Sequence, residues 1–193
     1  NGQANARALD SAMMRFDNTY PPDAIKLYFT SNHDENTWNK ADYATMPGEI
    51  HAPFAVLTQT WRNALPLIYS GQEEPFLDSL SFFYKDTITF GQYQRAPFYK
   101  TLLTLRKQTP ALAADANYTK LESGNDDAVF AFTKEKGGKK VLVVLNLSKN
   151  PQTVTLKGTI AGEPMNAFAG KTEKLTDGQS FALAPWGYLV YSY

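Results

Sequence analysis

Ile25-Lys26-Leu27-Tyr28-Phe29-Thr30-Ser31-Asn32-His33-Asp34-Glu35-Asn36 is the stretch on which the reading of the fold turns. Its first five residues are rich in β-branched and aromatic side chains and suit a short buried strand. From Thr30 onward the residues are polar, and they include one of only two histidines in the chain. Polar groups gathered at the C-terminal mouth of a parallel strand are where barrel and open-sheet enzymes place their chemistry, because strand ends are rigid and face the ligand crevice. A plainer use competes with this one: Asn32 or Asp34 capping a turn or the next helix.

Upstream, Leu9, Met13 and Phe16 recur at helical spacing from Ala6 to Phe16, and Pro21-Pro22 stops that helix. Downstream, Ile50, Phe54, Leu57 and Trp61 form one stripe of a second helix, with Pro47 near its entry and Pro53 set to kink it or delay its start. Leu65-Pro66-Leu67-Ile68-Tyr69 reads as a second apolar strand, opening into Ser70-Gly71-Gln72-Glu73-Glu74. The connection that follows runs for about two dozen residues, against the usual ~2–6 of a strand-to-helix loop. It holds Phe76, Phe82, Phe83, Tyr84, Phe90 and Tyr93, whose flat faces suit stacking on pyranose rings, although such side chains also pack a loop onto a core. A third helix, Arg95 to Gln108, carries Phe98, Leu102 and Leu105 on one face and ends before Pro110. Strand, helix, strand, helix is the order of parallel strands joined by crossovers. Two parallel strands leave a sheet incomplete, so closure into a barrel or further strands is expected from elsewhere.

After Leu112 the pattern changes. Segments near 117–122, 127–134, 139–147, 152–157, 180–184 and 187–193 are read as alternating at period two, Val141-Leu142-Val143-Val144-Leu145 among them. Ser123-Gly124-Asn125-Asp126, Gly137-Gly138, Asn150-Pro151, Asp177-Gly178 and Pro185-Trp186-Gly187 separate them as turns. Many short strands with polar turns indicate an antiparallel β-sandwich. The expected division is therefore 1–111, α/β, and 112–193, all-β.

Nineteen basic residues balance nineteen acidic ones without a run of either sign, which leaves nucleic acid and charged membrane surfaces without a footprint. There is no cysteine, hence no disulfide or thiolate metal site. Asn1 to Asp10 show neither an initiator methionine nor the layout of a targeting segment, so the chain is expected to begin inside a longer gene product. His33, Asp34 and Glu35 lack a second histidine at i+3 or i+4 to complete a metal site. Ser31, His33 and Asp34 are too close in sequence to align as a catalytic triad. His51, on a predicted helix, reads as a packing residue.

Three blocks in register carry a resemblance: Phe29-Thr30-Ser31-Asn32-His33-Asp34 with Trp38, Leu65 to Glu73, and Tyr99 to Arg106 with Pro110-Ala111-Leu112. Together with Val143-Val144-Leu145-Asn146-Leu147-Ser148 they resemble the end of the catalytic domain and the C-terminal domain of the α-amylase family, glycoside hydrolase family 13. The resemblance implies the last two βα units of an incomplete TIM barrel, Ile25–Phe29 as strand seven and Leu65–Tyr69 as strand eight, followed by a sandwich called domain C. It makes Asp34 the transition-state-stabilising carboxylate, and His33, Asn32, Trp38, Gln72 and Glu73 substrate-binding residues. In that family the nucleophile and the acid/base come from strands four and five. The parent is thus expected to be a retaining hydrolase of α-glucans such as starch or maltooligosaccharides, and this segment alone inactive; a non-catalytic carbohydrate-binding or structural fragment is the alternative. No cofactor is expected in this segment, although the resemblance leaves room for calcium in the parent. The remaining implied partners are an α-glucan oligosaccharide or polysaccharide, and the missing barrel portion or a second copy. Its substrate points to an extracellular, periplasmic or cell-surface location.

Overall fold

The computed structural model describes residues 4–39 and 46–193. Helix α1 (Arg7–Thr19) runs past the expected Phe16, since backbone restriction by Pro21 reaches only its predecessor Tyr20, which is already extended. Leu9 and Met13 are half-buried against the core. The start of α1 is held from far along the chain: the Ala6 N–H donates to the Asp127 carbonyl at 2.9 Å, and Arg7 Nε lies 2.6 Å from Asp127 Oδ1.

Strands β1 (Lys26–Tyr28) and β2 (Ala64–Pro66) pair in parallel, with Leu27 opposite Leu65. Both are shorter than the apolar runs that announce them. Pro66 has no N–H to donate, and each strand has a single partner among the described residues. On one face the paired leucines stay exposed, at 53% and 57%. On the other, Tyr28 packs on Trp61 with ring centroids 5.0 Å apart.

Helix α2 (His33–Asn39) follows β1, and a 3₁₀ turn (Gly48–Ile50) leads into α3 (His51–Thr60). Pro53 falls in the first turn of α3, where an N–H has no intrahelical acceptor, so the helix continues through it. Trp61 caps the end instead of extending the helix. Helix α4 (Ala96–Gln108) begins one residue after the expected Arg95, with Pro97 in its first turn. A second 3₁₀ turn (Pro110–Leu112) then hands the chain to the β-rich part.

That part holds β3 (Asn117–Leu121), β4 (Val129–Lys136), β5 (Lys139–Asn146), β6 (Gln152–Thr155), β7 (Met165–Asn166), β8 (Lys171–Thr172), β9 (Ser180–Leu183) and β10 (Tyr188–Ser192). A six-stranded sheet of order β3-β4-β5-β10-β7-β8 packs on a β6-β9 pair, and every pairing is antiparallel. Gly137 and Gly138 turn β4 into β5 with φ of +60° and +72°, the left-handed geometry of a tight hairpin.

The centre of the six-stranded sheet, chiefly β4 and β5, is buried on both faces. Phe130, Phe132, Val143, Leu145 and Val190 meet Val56, Leu57, Trp61, Leu102 and Leu112 from the helical part. Ala131, Leu142, Val144 and Tyr191 meet Val154, Leu156, Phe181 and Leu183 from beneath β6 and β9. This double burial corrects the expected alternation in β5: Val141 to Leu145 are all fully enclosed, so the run is continuously apolar. Each large side chain so enclosed contributes about 1.5–3 kcal/mol.

One cation lies inside this seam. Lys134 of β4 is fully buried, and its Nζ donates to the carbonyls of Trp61 at 3.2 Å and Ala113 at 2.8 Å. Beside it, Arg106 of α4 donates to the carbonyls of Gln59 at 2.9 Å and Ala64 at 2.5 Å. The two cations thus satisfy carbonyls around the C-terminal end of α3, where the helix dipole is negative.

Candidate active site

The C-terminal ends of β1 and β2 are fastened to each other by one amide. Gln72 is 2% exposed; its Nε2 donates to Thr30 Oγ1, and its Oε1 accepts the Tyr69 N–H at 2.7 Å. Its side chain therefore braces the rim from within. Glu73 is half-buried, and its Oε2 accepts the Gly71 N–H at 3.0 Å while its carbonyl accepts the Arg95 N–H at 2.9 Å. It also lines a cavity of about 450 Å³ with Tyr69, Ser70, Tyr99 and Lys100.

Around the first strand end, Asn32 acts as the cap that the plainer reading assigned it. Its Oδ1 accepts the Glu35 N–H at 2.7 Å, which starts α2 at His33 and places Asp34 in the first turn, where a negative charge suits the helix dipole. His33 and Asp34 both stand in solvent, with Asp34 Oδ2 3.5 Å from His33 Nε2. Neither lines the cavity beside Glu73, nor the one of about 360 Å³ between α1 and β1. Ser31 is fully enclosed, and its hydroxyl has no hydrogen-bond partner among the described residues.

Helix α2 and the long connection after β2 are tied together by residues that the sequence did not single out for this purpose. Asn36 is buried and its Oδ1 accepts the Leu80 N–H at 2.7 Å; the Thr37 hydroxyl donates to the Leu80 carbonyl at 2.8 Å. Phe82 thereby comes to lie 6.0 Å from the His33 ring and 5.9 Å from Trp38, between centroids. The only sequence signal was the polar face of Asn36 and Thr37, which gives no hint of a partner more than forty residues away. At the far end of the connection, the Glu74 carboxylate accepts the N–H groups of Gln92 and Tyr93, each at 2.9 Å, and these bonds lower its pKa.

His51 sits apart from this rim. It is buried, its Nε2 lies 2.6 Å from the Tyr99 hydroxyl, and burial together with Arg95 pushes its pKa down to about 3. It stays neutral at ordinary pH and serves packing.

The rim therefore presents an open carboxylate, an imidazole and several aromatic faces at the joined ends of two parallel strands. Such a set accepts and donates hydrogen bonds to hydroxyls while stacking on the C–H face of a sugar ring. No cluster of three or more His, Asp or Glu suited to a metal occurs among the described residues.

Residues 118–190 match the family described as Maltogenic Amylase, C-terminal domain. Among curated proteins the chain is similar to Alpha-amylase MalA of Haloarcula japonica, 29% identical over 144 residues that cover 71% of this chain and 20% of that one. Among solved structures, a noncanonic maltogenic alpha-amylase AmyB from Thermotoga neapolitana superposes with a TM-score of 0.82 at 20% identity, covering 100% of this chain and 46% of that one. An alpha-amylase from Lactobacillus plantarum does so with a TM-score of 0.75 at 23% identity, covering 100% and 44%. AmyP, solved in complex with maltose, gives 0.73 at 18% identity, covering 99% and 45%. The chain thus spans about a fifth of the curated relative it matches and under half of these solved ones.

Proposed function

We propose, for a chain whose residues 118–190 form a C-terminal domain of the α-amylase family, that it is the C-terminal part of a retaining hydrolase of α-linked glucans. In this reading residues 1–111 are the end of the catalytic barrel and 112–193 its domain C. Asp34 hydrogen-bonds sugar hydroxyls and favours the oxocarbenium-like transition state; His33 donates to hydroxyls of the same ring. Trp38 and Glu73 border the bound glucan, while Asn32 and Gln72 hold the rim that presents it. The observation that carries this reading is the pairing of β1 with β2 in parallel, with Asp34 and Glu73 following them at the same end and the Gln72 to Thr30 bond joining the two.

Retaining chemistry needs a nucleophile and an acid/base about 5–5.5 Å apart. In this reading both belong to a preceding part of the barrel, and the 193-residue chain is inactive on its own. The glucan is met outside the cytoplasm. Release of reducing ends from soluble starch by the purified chain would overturn the assignment. In the longer protein, Asp34→Asn is expected to lower kcat by about 10²-fold or more with a small change in KM, as for a group that acts in the transition state; a fully active variant would refute its role.

The exposed leucine pair of β1 and β2 favours a second reading, in which this segment is a structural or carbohydrate-binding fragment completed by partner strands. Sedimentation of the chain as a concentration-independent monomer would count against it.

A further inference from the structure

Four consecutive residues that join α3 to β2 each bond to a different element. The Trp61 carbonyl accepts Lys134 Nζ of β4 at 3.2 Å. Arg62 forks onto the Asp17 carboxylate of α1 through two bonds, at 2.8 and 2.9 Å. Asn63 Nδ2 donates to the carbonyls of Pro22 and Ala24, at 3.2 and 3.1 Å, and the Asn63 carbonyl accepts the Lys26 N–H at 2.9 Å. The Ala64 carbonyl accepts Arg106 of α4 at 2.5 Å. These bonds hold Asn63 at a φ of +50°, in the left-handed region that residues with a Cβ seldom adopt. Lys26 and Ala64 then form the first pair of the parallel ladder. Three residues of each strand later, the Leu67 N–H donates to the Tyr28 carbonyl at 2.8 Å, and beyond it Gln72 donates to Thr30. A ladder this short cannot absorb a slip, so the register set at the turn is the register that reaches the rim.

Among the partners of this turn, Lys134 alone belongs to the sandwich. It is fully buried, and its second bond, to the Ala113 carbonyl at 2.8 Å, ties the turn to the passage between the two parts of the chain. An enclosed cation is a poor source of stability, and its best attested use is to fix one register among several. We propose that Lys134 is a positioning residue for the rim: from the sandwich it fixes where β2 starts, and so the spacing between the strand ends that carry Asp34 and Glu73. The link to catalysis rests on the reading of that rim as a glucan site, whereas the link from seam to rim stands on the hydrogen bonds alone.

The test is hydrogen exchange of the isotope-labelled 193-residue chain at pH 7, in the wild type and in Lys134→Met. Lys136→Met, which removes a surface cation paired with Asp115 from the same strand, is the control. In Lys134→Met the backbone amides of Lys26 and Leu67 and the side-chain amide of Gln72 should exchange about tenfold faster, while Val143 and Leu145 in the sheet change by less than about twofold. A lysine that served stability alone would speed all five groups together, and that result, or unchanged exchange at the rim, would overturn the proposal. The same rim effect in Lys136→Met would trace it to lost charge and refute the assignment to Lys134. If Lys134→Met does not fold, the wild type decides: Lys26 at the turn and Leu67 at the rim should be protected alike within about tenfold, and a wider gap would show that the rim moves independently of the turn. The glucan reading is judged separately, by the rate of Asp34→Asn, which none of these exchange outcomes touches.

Discussion

Replacing Lys134 by methionine removes a charge from the seam between helices and sheet while keeping the length of the side chain. The ammonium is enclosed, faces Arg106, and has Asp115 as its one stabilising charge, so burial pulls its pKa from 10.5 down to about 8. A lysine whose folded pKa lies below its unfolded value costs stability wherever it must carry its proton. The full cost applies below pH 8 and fades as pH rises towards 10.5. At about 1.36 kcal/mol for each pH unit between the two values, the relief amounts to at most ~3 kcal/mol, of which about 2 kcal/mol is gained between pH 7 and pH 9.5. In the methionine variant two carbonyls lose donors worth about 1.5–3 kcal/mol each, against which the charging cost disappears, so the chains lie close together at pH 7. By pH 9.5 the wild type should lead by about 2 kcal/mol more than at pH 7. Lys26, also pulled to about 8, and the buried tyrosines titrate in both chains and cancel in the difference. Urea unfolding at the two pH values measures it, and a wild-type-minus-variant gap that stays constant would refute the reasoning.

Acid should expose His51 in the opposite range. Its folded pKa of about 3 against an ordinary 6.5 means that the stability it supports is complete above pH 6.5 and falls by about 3 kcal/mol by pH 4, as the unfolded chain takes up the proton. His51→Gln should flatten that part of the acid limb, and equal pH slopes would exclude His51 as its source. Gly71→Ala places a Cβ at a φ of +92° and 2.9 Å from Phe76 Cβ. It should loosen the start of the connection, speeding amide exchange at Phe76 tenfold or more, equivalent to about 1.4 kcal/mol; unchanged exchange would show that the turn gives freely. Gln72→Leu leaves Thr30 and the Tyr69 N–H without their partner and should cost about 2–4 kcal/mol at every pH, seen as a lower urea midpoint. A midpoint equal to wild type would remove Gln72 as a brace.

The parts of this fold that show in the sequence are those with local grammar. Val129 to Asn146 has a strong apolar pattern and a Gly-Gly turn, and the helix before Pro110 has a clear face and a clear stop. Strands β7 and β8 have two residues each, too few for any period to appear, and their places are set by pairing, β7 with β10 and β8 with β7, rather than by their own residues. Lys134 reads as the outward polar residue of a half-exposed strand; that it points into a closed seam depends on α3 arriving from the other part of the chain. The rim was legible in part. Asp34 and His33 announce themselves by type and position after a strand, whereas the tasks of Asn36, Thr37 and Gln72 are defined by atoms distant in sequence and leave no local mark. Asn32 shows the opposite case, a cap recognisable from its place before a helix.

Trp61 has Tyr28 of the parallel pair on one side, at 5.0 Å, and Phe130 of the sandwich on the other, at 5.8 Å. Heat cannot dissolve either neighbour without stripping the indole of half its surroundings. The two architectures are therefore expected to melt in a single calorimetric step, and a protease that nicks the chain between Ala111 and Ala116 should leave halves that remain clasped until that step is reached.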